Sequence, residues 1–191
     1  MQMLKPTARL AATTLAATIA LLGATSGHAA TQGSIGSTST GTVVINASIL
    51  ARVNISNLSD LTFADSDLGP ILATGASAQK TENVCVWSNN ADRSYFLTAS
   101  GVGDSNGFAL KAASTPNIPF SVAWNQTTGQ STGTSLTAGS KSAKFTSSAV
   151  ATDCAGGSSA TLLVSIAGSD AAKMTAGTAY SGTLTLLVTP T

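Results

Sequence analysis

The sequence predicts an all-β fold, an antiparallel β-sandwich of immunoglobulin-like type, from three observations. Apolar residues alternate with polar residues in several short runs, which is the period of strands with one buried face. Clusters of Gly, Asn, Asp and Ser separate these runs, as in chains whose strands are joined by turns. About 160 residues remain once a leader is set aside, enough for one domain with its own core. A closed barrel is the second choice for this pattern.

Residues 1–30 have the pattern of a secretory signal peptide. Lys5 and Arg9 precede an uncharged apolar stretch, and "GHAA" offers a cleavage site after Ala29 or Ala30. No second apolar segment of ~20 residues follows, so we expect no membrane insertion of the mature chain. Without Lys5 and Arg9, seven basic residues (9 − 2) stand against eight acidic ones. A net charge near −1 argues against a nucleic-acid partner.

A long alternating run follows the Gly/Ser/Thr-rich stretch at residues 31–41. Every odd position from Val43 to Ile55 is apolar, whereas the even positions are mostly polar. This run is much longer than an ordinary strand of ~5–6 residues. The sequence predicts a strand with one buried face here, with Val43, Ile45, Ala47 and Ile49 on that face, and its length leaves open what it pairs with.

The rest of the chain is predicted to consist of short strands. In the last of them Leu184, Leu186 and Val188 are in phase and are expected to point inward, with Thr183, Thr185 and Thr189 outward. Only residues 168–177 are predicted to be helical, for one or two turns. Residues 57–70 are predicted to be a short strand at 61–63 followed by a turn-rich loop. The other predicted strands are residues 83–88, 94–100, 107–110, 118–124, 159–167 and the C-terminal run 180–190.

Cys85 and Cys154 are the two cysteines, and in an exported chain the default is a disulfide between them. Two buried thiols and intermolecular pairing are the alternatives that the sequence leaves open. Such a bond would close a long loop and stabilise the fold by ~4 kcal/mol.

Residues that carry chemistry are scarce. The single histidine, His28, lies in the predicted signal peptide, so the mature chain lacks the base of a catalytic triad and an imidazole ligand for a metal. We therefore predict a protein that is not an enzyme and that needs no cofactor or metal. Asp60, Asp65 and Asp67 fit a calcium loop, but a solvated loop that caps its own backbone is the simpler interpretation. Trp87 and Trp124 fit a sugar-binding platform, but their alternating strands favour the core.

The layout resembles the subunits of chaperone–usher pili, including the archaic spore coat protein U-like pilins and the colonisation-factor-like pilins. The resemblance is carried by the flexible leader with "GTVVINASIL", the predicted sandwich with one expected disulfide, and the ending "TAGTAYSGTLTLLVTPT". It covers most of the mature chain.

This resemblance implies a sandwich that lacks one strand and is completed by a donor strand from another subunit. It also implies that the long alternating run is two strands in series: residues 42–50, in an N-terminal extension over residues 31–50, and residues 52–56, at the start of a domain over residues 51–191. Val43, Ile45, Ala47 and Ile49 would be the donor residues, and Leu184, Leu186 and Val188 would lie on the C-terminal strand beside the open groove. The implied partners are identical or related pilin subunits, a periplasmic chaperone and an outer-membrane usher. The implied location is the periplasm in transit and then a fimbrium on the cell surface, with roles in cell adhesion and biofilm.

A second interpretation remains open at the level of sequence. The chain could be a self-contained secreted β-sandwich, acting as a binding module or adhesin, in which residues 42–50 complete its own sheet.

Overall fold

The computed structural model describes residues 30–191. The predicted signal peptide therefore lies outside the described residues, apart from Ala30. The chain divides into two units, Met1–Ser48 and Ile49–Thr191. In the described part of the first unit, Thr31 and Thr42 form an antiparallel bridge through two N–H···O bonds of 3.0 Å.

The second unit is built mainly from strands joined by turns, with one helix of ten residues. Its elements are β1 Val53–Ser56, α1 Asp65–Thr74, β2 Ser77–Ser88, β3 Ser94–Ser100, β4 Ala109–Leu110, β5 Ile118–Pro119, β6 Ser121–Asn125, β7 Thr134–Ser135, β8 Phe145–Thr146, β9 Ala160–Ala167, α2 Gly168–Ala171 and β10 Thr185–Pro190, with 3₁₀ turns at Asp104–Asn106 and Cys154–Gly156.

The strands form two main antiparallel sheets around one core. The larger sheet has the order β1-β2-β9-β6-β7, the smaller has the order β10-β3-β8, and β4 pairs with β5. Buried residues of both main sheets belong to a single hydrophobic cluster, which includes Val84 and Trp124 from one sheet and Tyr95 and Leu97 from the other. The predicted all-β, immunoglobulin-like sandwich is confirmed.

Trp124 and Tyr95 form a polar contact at the centre of this core. The Trp124 indole N–H donates to the Tyr95 hydroxyl at 3.0 Å, and both side chains are fully buried. Burial disfavours the phenolate and raises the pKa of Tyr95 to about 12. Trp87, which was also predicted to be a core residue, is only half-buried.

Helix α1 replaces the turn-rich loop that the sequence predicted, and the prediction was wrong there. Gly69 and Pro70 suggested a turn, and Pro70 does lack one helical N–H. The helix forms because Ile71 is buried and Leu68 packs on a second apolar cluster. Its ends are also satisfied: the Ala64 N–H donates to the Asp67 carboxylate at 2.8 Å, and Gly75, in the left-handed region at φ 70°, donates to the Ile71 carbonyl at 2.8 Å.

Other differences from the sequence prediction concern the lengths of elements. Residues 61–63 form no strand, and the predicted helix over 168–177 is limited to α2. The two-residue strands β7 and β8 lie in stretches that the sequence prediction left as connections. Pairs this short are determined by the neighbouring strand rather than by their own sequence.

Cys85 and Cys154 form a disulfide, with an S–S distance of 2.05 Å. The bond ties the 3₁₀ turn at Cys154–Gly156 to β2. Nearby, the hydroxyls of Ser147 and Ser159 both donate to the Val86 carbonyl, so the same part of β2 is held by hydrogen bonds as well.

Candidate functional site

An open groove of about 940 Å³ lies along the sandwich beside β10. It is lined mainly by the segment between β1 and α1, by α1 itself, by β9 and by the connection from α2 to β10. The apolar lining residues are Leu58, Leu61, Phe63, Leu68, Leu72, Leu110, Phe120, Leu162, Val164, Ile166, Ala171, Met174, Ala176, Ala179, Leu184 and Leu186.

The groove opens directly onto the hydrophobic core of the domain. Leu162 and Val164 of β9 belong to the buried core cluster and also line the groove. Leu61, Phe63 and Leu186 are only half-buried and pack against that cluster. Leu58 and Leu72 also line the groove, and about half of each side chain is exposed: 50% for Leu58 and 56% for Leu72. A continuous apolar surface of this kind is typical of a binding site.

Two backbone edges without a partner strand border the groove. β10 pairs with β3 along one edge, and among the described residues no strand pairs with its other edge. Residues 57–63 follow β1 and make no backbone–backbone hydrogen bonds within the part of the chain that the structure describes. Because N–H and C=O groups of such edges can bond to a further strand, the groove has the form of a vacant strand position.

The formal charges that line the groove are those of two carboxylates, Asp60 and Asp65. Asp67 lies close by but is used otherwise, since its carboxylate accepts hydrogen bonds from Lys80 Nζ at 2.8 Å and from the Ala64 N–H. Lys80 is the larger cause, and together these contacts lower the pKa of Asp67 below its usual value. Within the described residues, no group of three or more Asp, Glu, His or Cys side chains is placed to hold a metal ion.

The predicted donor residues are exposed. The exposed fraction is 76% for Val43, 88% for Ile45 and 79% for Ile49, and Ala47 is exposed as well. In the single chain, four apolar side chains that would share one face of a strand therefore lie in solvent.

The C-terminal strand residues predicted to point inward lie at or near the groove. Leu184 and Leu186 line it, whereas Val188 packs against the core cluster without lining the groove. Thr183, which was expected to point outward, is exposed and also lines the groove, while Leu187 on the opposite face of β10 is 56% exposed.

Sequence reasoning missed the groove residues of α1 and of the α2–β10 connection. Leu68 and Leu72 are spaced i, i+4 and therefore lie on one face of α1, a signal that the Gly69-Pro70 pair concealed. Met174 and Tyr180 belong to an irregular connection whose sequence has no period. The Tyr180 hydroxyl accepts from the Thr175 N–H at 3.1 Å, which holds this connection in a turn.

No protein-family model matches the chain, and no curated protein matches its sequence. A solved structure described as a chaperone–tip adhesin complex, vital for synergistic activation of CFA/I fimbriae biogenesis, has 11% sequence identity and a TM-score of 0.48. The match covers 74% of this chain and 41% of that chain. A likeness at this level does not identify a family.

A search of the described residues for membrane-crossing helices found none of sufficient length and hydrophobicity.

Proposed function

We propose that the chain is a structural subunit of a bacterial surface pilus of the chaperone–usher type and that it polymerises by donor-strand exchange. The groove between the two unpaired edges, β10 and residues 57–63, is the observation that carries this proposal. A strand inserted there can bond to both edges while its side chains cover the core residues that the groove leaves accessible.

Residues 42–50 have the composition that such an inserted strand needs. The segment carries no charge, and four of its apolar residues, Val43, Ile45, Ala47 and Ile49, recur at every second position and would face the core together, with Val44 and Leu50 on the other face. Burying Val43, Ile45 and Ile49 would contribute roughly 1.5–3 kcal/mol each. The exposure of these side chains in the single chain means that this gain is still available when they insert into a groove.

The geometry of the domain favours insertion into a second copy. Val53 pairs with Ser88, the Ser88 hydroxyl donates to the Ser94 carbonyl at 3.0 Å, and the Ser94 hydroxyl contacts that of Thr191 at 2.6 Å. The start of β1 and the end of β10 therefore lie at the same end of the sandwich.

A strand antiparallel to β10 would have to end at the other end of the sandwich, beside Thr185. The six residues of β10 span about 17 Å, because a strand rises ~3.4 Å per residue. Leu50 is held near the start of β1, because the Asn89 Nδ2 donates to the Leu50 carbonyl at 2.9 Å. Ile49 is only one step of ~3.8 Å further, so the chain's own segment ends near the finish of β10 and not beside Thr185. Since all the ladders of the domain described above are antiparallel, we infer that the occupant comes from another copy.

A vacant groove must be covered before assembly, because an apolar cleft with open strand edges promotes aggregation. We propose that a periplasmic chaperone covers it in transit and that an outer-membrane usher is the place where the next subunit replaces the chaperone. The disulfide is consistent with passage through an oxidising compartment.

The proposal is tested by a charge on the inserted face of the donor segment. Ile45→Asp is expected to leave the folded subunit and its soluble chaperone complex intact and to prevent filaments, because the carboxylate would be buried without a partner. Asn46→Asp is the matched control, since it places the same charge one residue further, on the outward face, and should assemble normally. The measurement is co-expression with the cognate chaperone, followed by assay of soluble complex and surface filaments. Filaments of normal length from Ile45→Asp would contradict the proposal.

The same experiment separates the proposal from a self-contained binding module. In a module that completes its own sheet, Ile45→Asp would unfold the monomer and remove the soluble complex. In a pilus subunit, deletion of residues 31–50 should leave a soluble domain whose melting temperature rises when a synthetic peptide of residues 40–51 is added.

A further inference from the structure

The segment that joins the donor strand to the domain is held in one geometry by Asn89. The Asn89 side-chain oxygen accepts from the Arg52 N–H at 2.6 Å, and its Nδ2 donates to the Leu50 carbonyl at 2.9 Å. The Asn89 N–H also donates to the Arg52 carbonyl at 3.1 Å. One residue therefore makes three hydrogen bonds to residues 50–52, which belong to no regular element and whose side chains are exposed.

These bonds extend the fixed part of the domain beyond the first residue of β1. Asn89 follows directly after Ser88, the residue that pairs with Val53, so its backbone bond to Arg52 continues the β1–β2 ladder by one step and its two side-chain bonds hold the chain beyond it. Apolar burial does not hold this segment, because Leu50 is 79% exposed. We call these three bonds the Asn89 clamp, and Ile49 is the first residue outside it.

We infer that Asn89 is a positioning residue that fixes the direction in which the donor segment leaves the domain and that it thereby stiffens the joint between successive copies. This inference rests on the proposed function. If residues 43–49 are inserted in one copy and Val53 belongs to the sheet of the next, only residues 50–52 connect two rigid bodies. The Asn89 bonds restrict the backbone torsions of residues 50–52 and so limit how far the two bodies can turn against each other. Without these bonds, three residues are free to bend.

The clamp is tested first in the single chain, in the Ile45→Asp background, so that assembly plays no part. Asn89→Ala is expected to speed hydrogen exchange of the Arg52 amide by about tenfold and to lower the NMR order parameters of residues 49–52. Asn89→Asp is the matched variant, because it keeps the acceptor for the Arg52 N–H and loses the donor to the Leu50 carbonyl. It should keep the Arg52 amide protected while residues 49 and 50 become mobile. Unchanged exchange and order parameters in Asn89→Ala would overturn the clamp.

The stiffness of the joint is tested with Asn89→Ala in the otherwise natural chain. Filaments should form in normal number, because the donor face and the groove are unaltered, but electron microscopy should show a persistence length reduced by at least half. If residues 49–52 are mobile in the single chain but the persistence length of the filaments is unchanged, the role of Asn89 in stiffness is overturned. If the unmutated chain formed no filaments, the proposed function and the joint would both be contradicted, while the exchange measurement would still decide whether Asn89 holds residues 50–52.

Discussion

At the scale of single residues, the hydrogen bond between Trp124 and Tyr95 shows how a polar contact is accommodated in the core. An indole N–H in an apolar interior needs an acceptor, and within the described core the Tyr95 hydroxyl provides it at 3.0 Å. Tyr95→Phe removes that acceptor while keeping the ring, so it is expected to reduce the free energy of unfolding by about 1–3 kcal/mol at pH 7. Denaturant titration of both proteins measures the difference.

The same residue predicts a change of stability in alkali. The pKa of Tyr95 is raised from 10.0 to about 12 in the fold, so the unfolded chain loses its proton first as the pH rises. The stability associated with Tyr95 is therefore fully present below pH 10 and is lost as the pH rises towards 12. The stability difference between the natural chain and Tyr95→Phe should shrink over this range, and a constant difference would contradict this account.

Asp92 gives the opposite dependence, in acid. Its carboxylate accepts from the Ser94 hydroxyl, from Lys144 Nζ at 3.0 Å and from the Ser94 N–H at 3.1 Å. These contacts, with the Ser94 hydroxyl the largest, lower the pKa of Asp92 from 3.8 to about 2. The resulting stability is present above pH 3.8 and is lost as the pH falls towards 2.

Asp92→Asn should therefore have a lower melting temperature than the natural chain at pH 7 and a similar one near pH 2. The effect at pH 7 should be small, because the ion pair with Lys144 is exposed. Melting curves at pH 7, 4 and 2 measure this convergence. If the difference in melting temperature stayed unchanged at the lowest pH, the substituted asparagine side chain, and not the loss of the Asp92 charge, would be its cause.

At the scale of elements, the sequence was informative wherever a strand buries one face. β3 occupies the predicted residues 94–100, with Tyr95, Leu97 and Ala99 buried as the alternation required. It was uninformative where tertiary contacts override local preference. Helix α1 contains Gly69 and Pro70, which disfavour a helix, and it exists because Ile71 is buried against the second apolar cluster. Leu68 and Leu72 of that helix line the groove, so the sequence could indicate the side of the groove that β10 forms but not the side that α1 forms.

β10 allows a test of which of its faces contributes to the fold. Leu186→Asp would place a carboxylate in the groove against the core cluster and is expected to abolish accumulation of folded protein, since such a charge costs several kcal/mol. Leu187→Asp is the matched control, because its side chain is 56% exposed on the opposite face and should change stability little. Yield of soluble protein and the melting temperature are the measurements. Equal tolerance of both substitutions would contradict the position of Leu186 in the core.

At the scale of the whole molecule, the groove lies beside the edge of β10 that no strand pairs with among the described residues, and Asn89 holds Leu50, the end of the segment 42–50, at the end of the sandwich where β10 finishes. The segment 42–50 thus ends where β10 finishes, whereas a chain that continued from Thr191 and turned back would begin there. After a tight turn it would run antiparallel to β10 along the groove, as the second strand of a hairpin does.

A copy of residues 42–50 joined after Thr191 through a four-residue turn should therefore complete the sheet within one molecule. The appended strand is present at a high effective concentration, so it should occupy the groove in preference to a strand from another copy. The expected product is a monomer in size-exclusion chromatography, with a higher melting temperature and without filaments. The control is the same appended segment with aspartate at the position that corresponds to Ile45, which should restore the open groove and assembly. Filaments of normal length from the appended chain, or a melting temperature equal to that of the control, would contradict the assignment of residues 42–50 as the strand that the groove accepts.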